Sequence, residues 1–329
     1  MTTRNVADAE VLAAPRALRV GTRGSKLALA QATQVVGALR ARWPARAFDV
    51  QIITTQGDVR TDVPLSAIGG RGVFAAELEQ ALRRGEIDVA VHSGKDLPST
   101  LAPEFALGAF PEREDPRDVV ATRGPRLADL PPGAVLGTSS PRRAAEVRAL
   151  RPDLDVRDVR GNVDTRLRKL DEGQYDAILL AAAGLHRLGL RHRITEYLSV
   201  ETMLPMVSQG AIAIEVRADD RDALATVAPL DHAPTRAAVT AERAFLARLG
   251  AGCTAPTGAH ATLRDDGTLR LDAMIGALDP SLGHRPVRGH AEAPAADAAA
   301  LGARLAEQLI ADGGDALLRA AGVRGAAAV

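Results

Sequence analysis

The sequence predicts an α/β protein: two doubly wound lobes followed by a small C-terminal α/β domain with an antiparallel sheet. Three observations point there. Through the first two-thirds of the chain, short apolar runs alternate with segments of helical apolar spacing, the pattern of a parallel sheet covered by helices. The alternation stops at a polar, proline-bounded stretch, residues 111–116, and then restarts. The last third changes character, with a hairpin signal at Asp266-Gly267 and an alanine-rich helix behind it.

The elements follow in order. Residues 18–22 read as a buried strand, and Leu29, Ala32, Val36, Leu39 and Trp43 then recur at helical spacing. A second strand is predicted over 48–55 and a Gly-rich stretch, read as a mobile loop, over 56–72. A helix buries Phe74, Leu78, Ala81 and Leu82 and stops at Gly85, before a strand over 87–92. Past the linker come a strand over 134–138, a helix over 140–150 ending before Pro152, a strand over 156–159, a helix over 163–170 and an apolar strand over 177–183. A strand over 211–216 is a candidate to return to the first lobe. A helix over 236–249, the hairpin and a helix over 295–312 complete the chain. The expected domains are 17–112 with 206–228, then 113–205, then 229–329, behind a loose tail over 1–16.

Lys+Arg and Asp+Glu both count 41, and this balance argues against nucleic acid as a partner. A single cysteine, Cys253, excludes an internal disulfide and a multi-thiolate zinc site. The histidines lack metal-ligand spacing, so no metal is expected. No stretch has the length of an apolar membrane span, and the N-terminus lacks the apolar core of a secretory signal. A cytoplasmic monomer acting on a small molecule is expected, with no nucleic-acid or membrane partner.

Chemistry is suggested where three strand ends feed polar turns and helix starts: residues 21–26, 137–143 and 159–166. Such turns aim hydroxyls and backbone N–H groups at one point, as anion sites do. Ser140 is a candidate N-cap with Pro141 behind it, which puts Arg142 and Arg143 in the first helical turn. Cations there oppose the helix dipole at about 0.3–1 kcal/mol each. Arg23 and Lys26 repeat the anomaly at the first helix. Repetition suggests a site for a ligand carrying several carboxylates, since guanidinium groups pair with carboxylates two bonds at a time. The competing reading is internal ion pairing with acids such as Asp158 or Asp164. Gly69-Gly-Arg-Gly72 lacks the lysine and hydroxyl of a Walker loop, so phosphate is disfavoured.

Lys95 and Asp96 stand side by side at a strand end, either as a solvated pair or as groups aimed at a ligand. His92 reads as a structural partner. Cys253, in Gly250-Ala-Gly-Cys-Thr-Ala-Pro256, is either a small buried hydrophobe or an exposed reactive thiol. No GxSxG elbow surrounds Ser139 or Ser140, so a hydrolase triad is not expected.

From residue 18 to the C-terminal helix, these segments together resemble the hydroxymethylbilane synthase (porphobilinogen deaminase) family. The resemblance rests on Gly21-Thr-Arg-Gly-Ser-Lys-Leu-Ala-Leu-Ala-Gln31, Ala90-Val-His-Ser-Gly-Lys-Asp96, Glu112-Arg-Glu-Asp-Pro-Arg-Asp118, Gly137-Thr-Ser-Ser-Pro-Arg-Arg143, Arg160-Gly-Asn-Val-Asp-Thr-Arg166, Ser208-Gln-Gly-Ala211 and Gly252-Cys253. It implies two lobes like those of periplasmic binding proteins with the site between them, and a third domain carrying the cofactor cysteine. It implies an enzyme that joins four porphobilinogen molecules head to tail, with loss of ammonia, into linear hydroxymethylbilane. The implied cofactor is a dipyrromethane in thioether linkage to Cys253. Asp96 matches the family's catalytic aspartate. Arg23, Ser25, Arg160, Arg166 and Arg187 match substrate-binding positions, and Lys95, Thr138, Ser140, Arg142, Arg143 and Gln209 match cofactor-binding ones. Gly24, Gly94 and Pro141 depart from the commonest pattern. Two rivals share parts of this reading: a two-lobed organic-acid-binding protein without catalysis, and an acyl or phosphoryl transferase using the cysteine as nucleophile.

Overall fold

The computed structural model describes residues 16–55, 75–252, 255–283 and 285–323. Residues 1–15 of the expected N-terminal tail, the Gly-rich stretch 56–72, Phe74 and Cys253 lie outside the described residues; Arg16, the last of the tail, pairs with Asp88.

The first sheet is assembled from β1 (Leu18–Thr22), β2 (Phe48–Ile52), β3 (Val89–Ser93), β4 (Phe105–Ala109) and β10 (Ile212–Arg217), in the order β2-β1-β3-β10-β4. The apolar run Ala-Ile-Ala-Ile, a candidate whose place the sequence alone did not fix, closes the first lobe after the chain has built the second. β10 lies between β3 and β4 and runs antiparallel to both, so the sheet is mixed rather than parallel. Its position is central, so both faces are buried, apolar but for Glu215, which pairs with His92. Helices α1 (Lys26–Arg42) and α2 (Ala76–Arg83) cover the sheet. Ala32, Val36 and Leu39 of α1 pack on Val20 and Val91. Trp43 is not part of that stripe; it ends the helix, partly exposed, with Nε1 donating to the Thr226 carbonyl at 3.0 Å.

The second sheet repeats the plan. β5 (Asp118–Thr122), β6 (Val135–Gly137), β7 (Asp155–Arg157), β8 (Ala177–Ala181) and β9 (Glu196–Tyr197) run in the order β7-β6-β8-β5-β9, and β5 is antiparallel to β8 and β9. α3 (Pro141–Leu150) has Ser140 as N-cap and Pro141 in its first turn, as predicted. α4 (Val163–Asp171) follows. The apolar run over 177–183 does not stay extended: it turns into a short helix, α5 (Ala182–Arg187), after Ala181. A run apolar on all sides does not by itself distinguish a buried strand from a buried helix.

Two chain segments cross between these sheets, one around residues 110–117 and one around 207–211, and they touch. Arg113 Nε donates to the Gln209 carbonyl at 2.8 Å, and Glu114 N to the Gly210 carbonyl at 3.3 Å. Gly210 has φ 89°, and a Cβ there would sit 2.3 Å from the Glu114 carbonyl oxygen. Only glycine allows that crossing. Neighbouring Ser208 also has a left-handed backbone, φ 61°, a strain held by its N–H donating to Glu242 at 2.7 Å.

After β10 comes α6 (Arg221–Val227), and the last region then packs α7 (Ala233–Arg248) and α8 (Ala298–Leu309) on one face of an antiparallel sheet, β11 (Thr257–Leu263), β12 (Thr268–Ile275) and β13 (Val287–Pro294). The Asp266-Gly267 turn joins β11 to β12 with Gly267 at φ 80°. The helix predicted over 295–312 runs up to a kink at Gly313, φ 108°, beyond which a final helix, α9 (Asp315–Ala320), follows.

Candidate active site

A cavity of about 300 Å³ opens between the two sheets at the carboxyl ends of their strands. From the first lobe come Arg23 and Ser25, in the turn between β1 and α1, and Lys95 and Asp96, in a 3₁₀ turn after β3. Gly94 in that turn lies against the returning segment: a Cβ would meet Ser208 Cβ at 3.0 Å, and its N–H donates to the Ala211 carbonyl at 2.9 Å. The second lobe presents Arg143, Arg160, Arg166 and Arg187. Seven basic side chains and two acidic ones, Asp96 and Asp164, line the cavity among the described residues. The chain is neutral overall, so this excess is local and selects an anion.

These cations differ in how their bonding is met. Arg143 Nε and Nη2 donate to Asp118 at 2.9 and 2.7 Å, and Nη1 to the Leu179 carbonyl at 2.9 Å. Arg166 Nε donates to the Gly161 carbonyl, and Arg187 Nη2 to the Gly210 carbonyl, each at 2.7 Å. Nε of Arg160 and of Arg187 are buried with no hydrogen-bond partner among the described residues. Burial pushes Arg166 down to about 10, with Arg143 and Arg160 adding repulsion. Burial likewise lowers Arg187. Desolvated guanidinium groups with open donors fit a ligand rich in carboxylates.

Asp96 pairs with Arg23 at 3.6 Å, not with its neighbour Lys95. Lys95 donates to Gln209 Oε1 at 3.3 Å. Burial, reinforced by Arg143, lowers Lys95 to about 8, against the pull of Asp96.

The remaining predicted positions stand behind the wall. Ser140 caps α3, accepting from Arg143 N at 3.4 Å. Thr138 and Gln209 are buried; Gln209 Nε2 donates to Asp118 Oδ1 at 2.9 Å. Arg142 is 2% exposed. It pairs with Asp118 at 2.6 Å and Glu146 at 2.9 Å, and donates to the Leu204 carbonyl at 2.8 Å. Internal pairing therefore accounts for Arg142, and in part for Arg143. The partners are Asp118 and Glu146 rather than Asp158 or Asp164; Asp164 instead pairs with Lys26 at 3.0 Å. Sequence reasoning did not single out Asp118. Its signal was its place in the Glu112–Asp118 motif.

Comparison with known proteins decides the family. Residues 18–225 match the family model for the porphobilinogen deaminase dipyrromethane cofactor binding domain, and residues 236–311 that for the porphobilinogen deaminase C-terminal domain. The porphobilinogen deaminase of Roseiflexus castenholzii is 56% identical over 302 residues, covering 92% of this chain and 98% of that protein. That of Roseiflexus sp. is 55% identical over the same shares. The chain belongs to the porphobilinogen deaminase family. Among solved structures, a putative methionine-binding lipoprotein from Bacillus subtilis is similar over 65% of this chain and 89% of its own, with 11% identity and a TM-score of 0.41, a likeness too distant to bear on chemistry.

The motifs' reading is thus borne out for activity, class and cofactor. Porphobilinogen deaminases are hydroxymethylbilane synthases, transferases of tetrapyrrole biosynthesis, and dipyrromethane is the cofactor of the domain that residues 18–225 match. A two-lobed acid-binding protein without catalysis is not favoured. Among the described residues no helix is long and apolar enough to cross a membrane.

Proposed function

We propose that this chain condenses four porphobilinogen molecules in the cleft between its first two sheets, with Asp96 as the catalytic carboxylate. The observation that carries this reading is the pairing of open, buried guanidinium donors on one wall with the Arg23–Asp96 pair on the other. Arg160, Arg166, Arg187, Arg23 and Ser25 hold the acetate and propionate groups of the substrate. Asp96, anchored by Arg23, stabilises positive charge on the pyrrole whose amino group departs as ammonia and accepts a proton at its carboxylate. Lys95 and Arg143 hold carboxylates of the dipyrromethane. Thr138, Ser140, Arg142 and Gln209 position them from behind. The dipyrromethane, in thioether linkage to Cys253, supplies the pyrrole end from which the chain grows.

The domains are 17–112 with 206–228, 113–205 and 229–329, behind the tail 1–16. The enzyme works as a cytoplasmic monomer on a small molecule, without a nucleic-acid or membrane partner.

Intact mass and turnover test the two anchoring residues together. Freshly purified protein carries a dipyrrole mass increment that disappears in Cys253→Ser; an unmodified mass in active protein overturns the thioether. A donor-derived adduct appearing only with substrate instead favours the acyl or phosphoryl transferase. Asp96→Ala keeps the increment and loses nearly all turnover; normal hydroxymethylbilane formation by that variant overturns the role of the carboxylate.

A further inference from the structure

Beside the main cavity lies a second, of about 40 Å³, that shares Arg23, Ser25, Leu27, Gln31, Ser93 and Asp96 with it and is also lined by His92. It is far too small for a pyrrole, yet exceeds the roughly 10–15 Å³ that a water-sized molecule needs. Its walls combine the apolar Leu27, Ala28 and Val91 with polar groups, of which Gln31 and His92 are buried. Gln31 is 2% exposed, with Nε2 donating to Ser93 Oγ at 2.8 Å, so its Oε1 is left as an acceptor. Ser25 Oγ accepts from Ala28 N at 3.2 Å and keeps its own proton to donate. His92, also buried, is fixed by Glu215, with Nε2 2.9 Å from Oε2.

We propose that this side pocket receives the ammonia released in each condensation and holds it as ammonium between Asp96 and Gln31. The proposal rests on the reading of Asp96 given above. In each cycle the C–N bond of the protonated aminomethyl group breaks, and nitrogen leaves with the bonding pair as ammonia. A C–C bond forms from the methylene to the free α-carbon of the attacking pyrrole, which loses a proton. Asp96 borders both cavities, so its carboxylate takes that proton on one side and delivers it to ammonia on the other. The sum is one new C–C bond and one ammonium ion. Protonation consumes the lone pair with which ammonia would re-attack the electron-poor methylene. Arg23, on the same wall as Asp96, opposes a resident cation, so the guest is transient.

The test uses the full-length holoenzyme. Proton–nitrogen NMR of the Gln31 side-chain amide is followed while ammonium chloride is added, with trimethylammonium chloride at equal ionic strength as the control. The Gln31 resonance moves saturably with ammonium and stays put with trimethylammonium, which the pocket excludes. Product inhibition by ammonium weakens about tenfold in Gln31→Leu, as loss of a hydrogen bond to a charged group dictates. An unmoved Gln31 resonance, equal response to both cations, or an unchanged inhibition constant overturns the proposal. Should Gln31→Leu fail to fold, the titration of the unaltered enzyme decides alone. Normal turnover by Asp96→Ala sinks the catalytic reading instead, and leaves the ammonium titration to be judged separately.

Discussion

Arg142 and Arg143 on one side, and Arg160 and Arg187 on the other, are the same chemical group put to opposite uses within one lobe. The first pair starts α3, where the helix dipole disfavours cations, and buried carboxylates offset the cost. Asp118 reaches both guanidinium groups, and Glu146 joins Arg142 to Arg288 on β13 at 2.8 Å. Asp118 stays ionised: burial alone raises its pKa, but Arg142 and Arg143 hold it well below the usual carboxylate range. The second pair has no such carboxylate within ion-pair distance among the described residues; a buried Nε without a partner does not separate the pairs, since Arg142 carries one as Arg160 and Arg187 do. One network has its ion pairs complete within the chain and joins the second lobe to the C-terminal sheet. The other is incomplete until an acidic ligand arrives. A cation in an unfavourable place thus marks either a buried network or a binding site, and only the position of the carboxylates separates the two.

Breaking the complete network has the largest expected effect. Asp118→Ala leaves two buried guanidinium groups facing each other, at a cost of about 3–5 kcal/mol, the range for removing one partner of a buried ion pair. Chemical denaturation measures it as a fall in midpoint with little change in slope. A loss below about 1 kcal/mol, the worth of an exposed pair, sinks the view that Asp118 organises this wall.

Cutting into the incomplete network has the opposite profile. Arg160→Leu removes a buried donor that the protein itself leaves unmet, so folding stability changes by no more than about 0.5 kcal/mol. Porphobilinogen KM rises about tenfold or more, because a charge-assisted bond made only to ligand is lost. Denaturation and steady-state kinetics on one preparation decide it. A large stability loss with unchanged KM puts Arg160 in the same class as Arg142.

Much of this division was legible in the sequence. Strands β1, β2, β3, β6, β7, β8 and β10, the Ser140 cap and the Asp266-Gly267 hairpin follow from local rules of spacing, capping and turn chemistry, and so did the gathering of basic residues at three strand ends; β4, β5, β9 and β13 did not stand out. What escaped was long-range. Strand direction depends on where a segment enters the sheet, so the antiparallel insertion of β10 leaves no mark in its apolar run. Arg142 and Arg160 look alike because their difference lies in Asp118, which is 24 and 42 residues away in the chain. The side pocket behind Gln31 has no local signature either, since its walls come from α1, β3 and the turns that follow β1 and β3.

Lys95 stands between the two networks and gives the smallest and most diagnostic effect. It touches the Asp118 partner Gln209, yet lines the cavity. Its pKa, lowered from 10.5 to about 8 chiefly by burial, means that the folded protein holds fewer protons than the unfolded chain between those values. Stability therefore rises as pH climbs from about 8 towards the ordinary value, because a buried charge is being removed. Ligand binding moves the other way: the ammonium that attracts a carboxylate is present below about 8 and fades above it. Loading of the cofactor-free chain with dipyrromethane is thus expected to weaken above pH 8 while the denaturation midpoint of that chain, corrected for other groups by comparison with Lys95→Met, climbs. Lys95→Arg stays charged throughout and flattens the loading profile. If loading and stability instead worsen together with rising pH, Lys95 belongs to the complete network, and the line between the two sets of cations has been drawn in the wrong place.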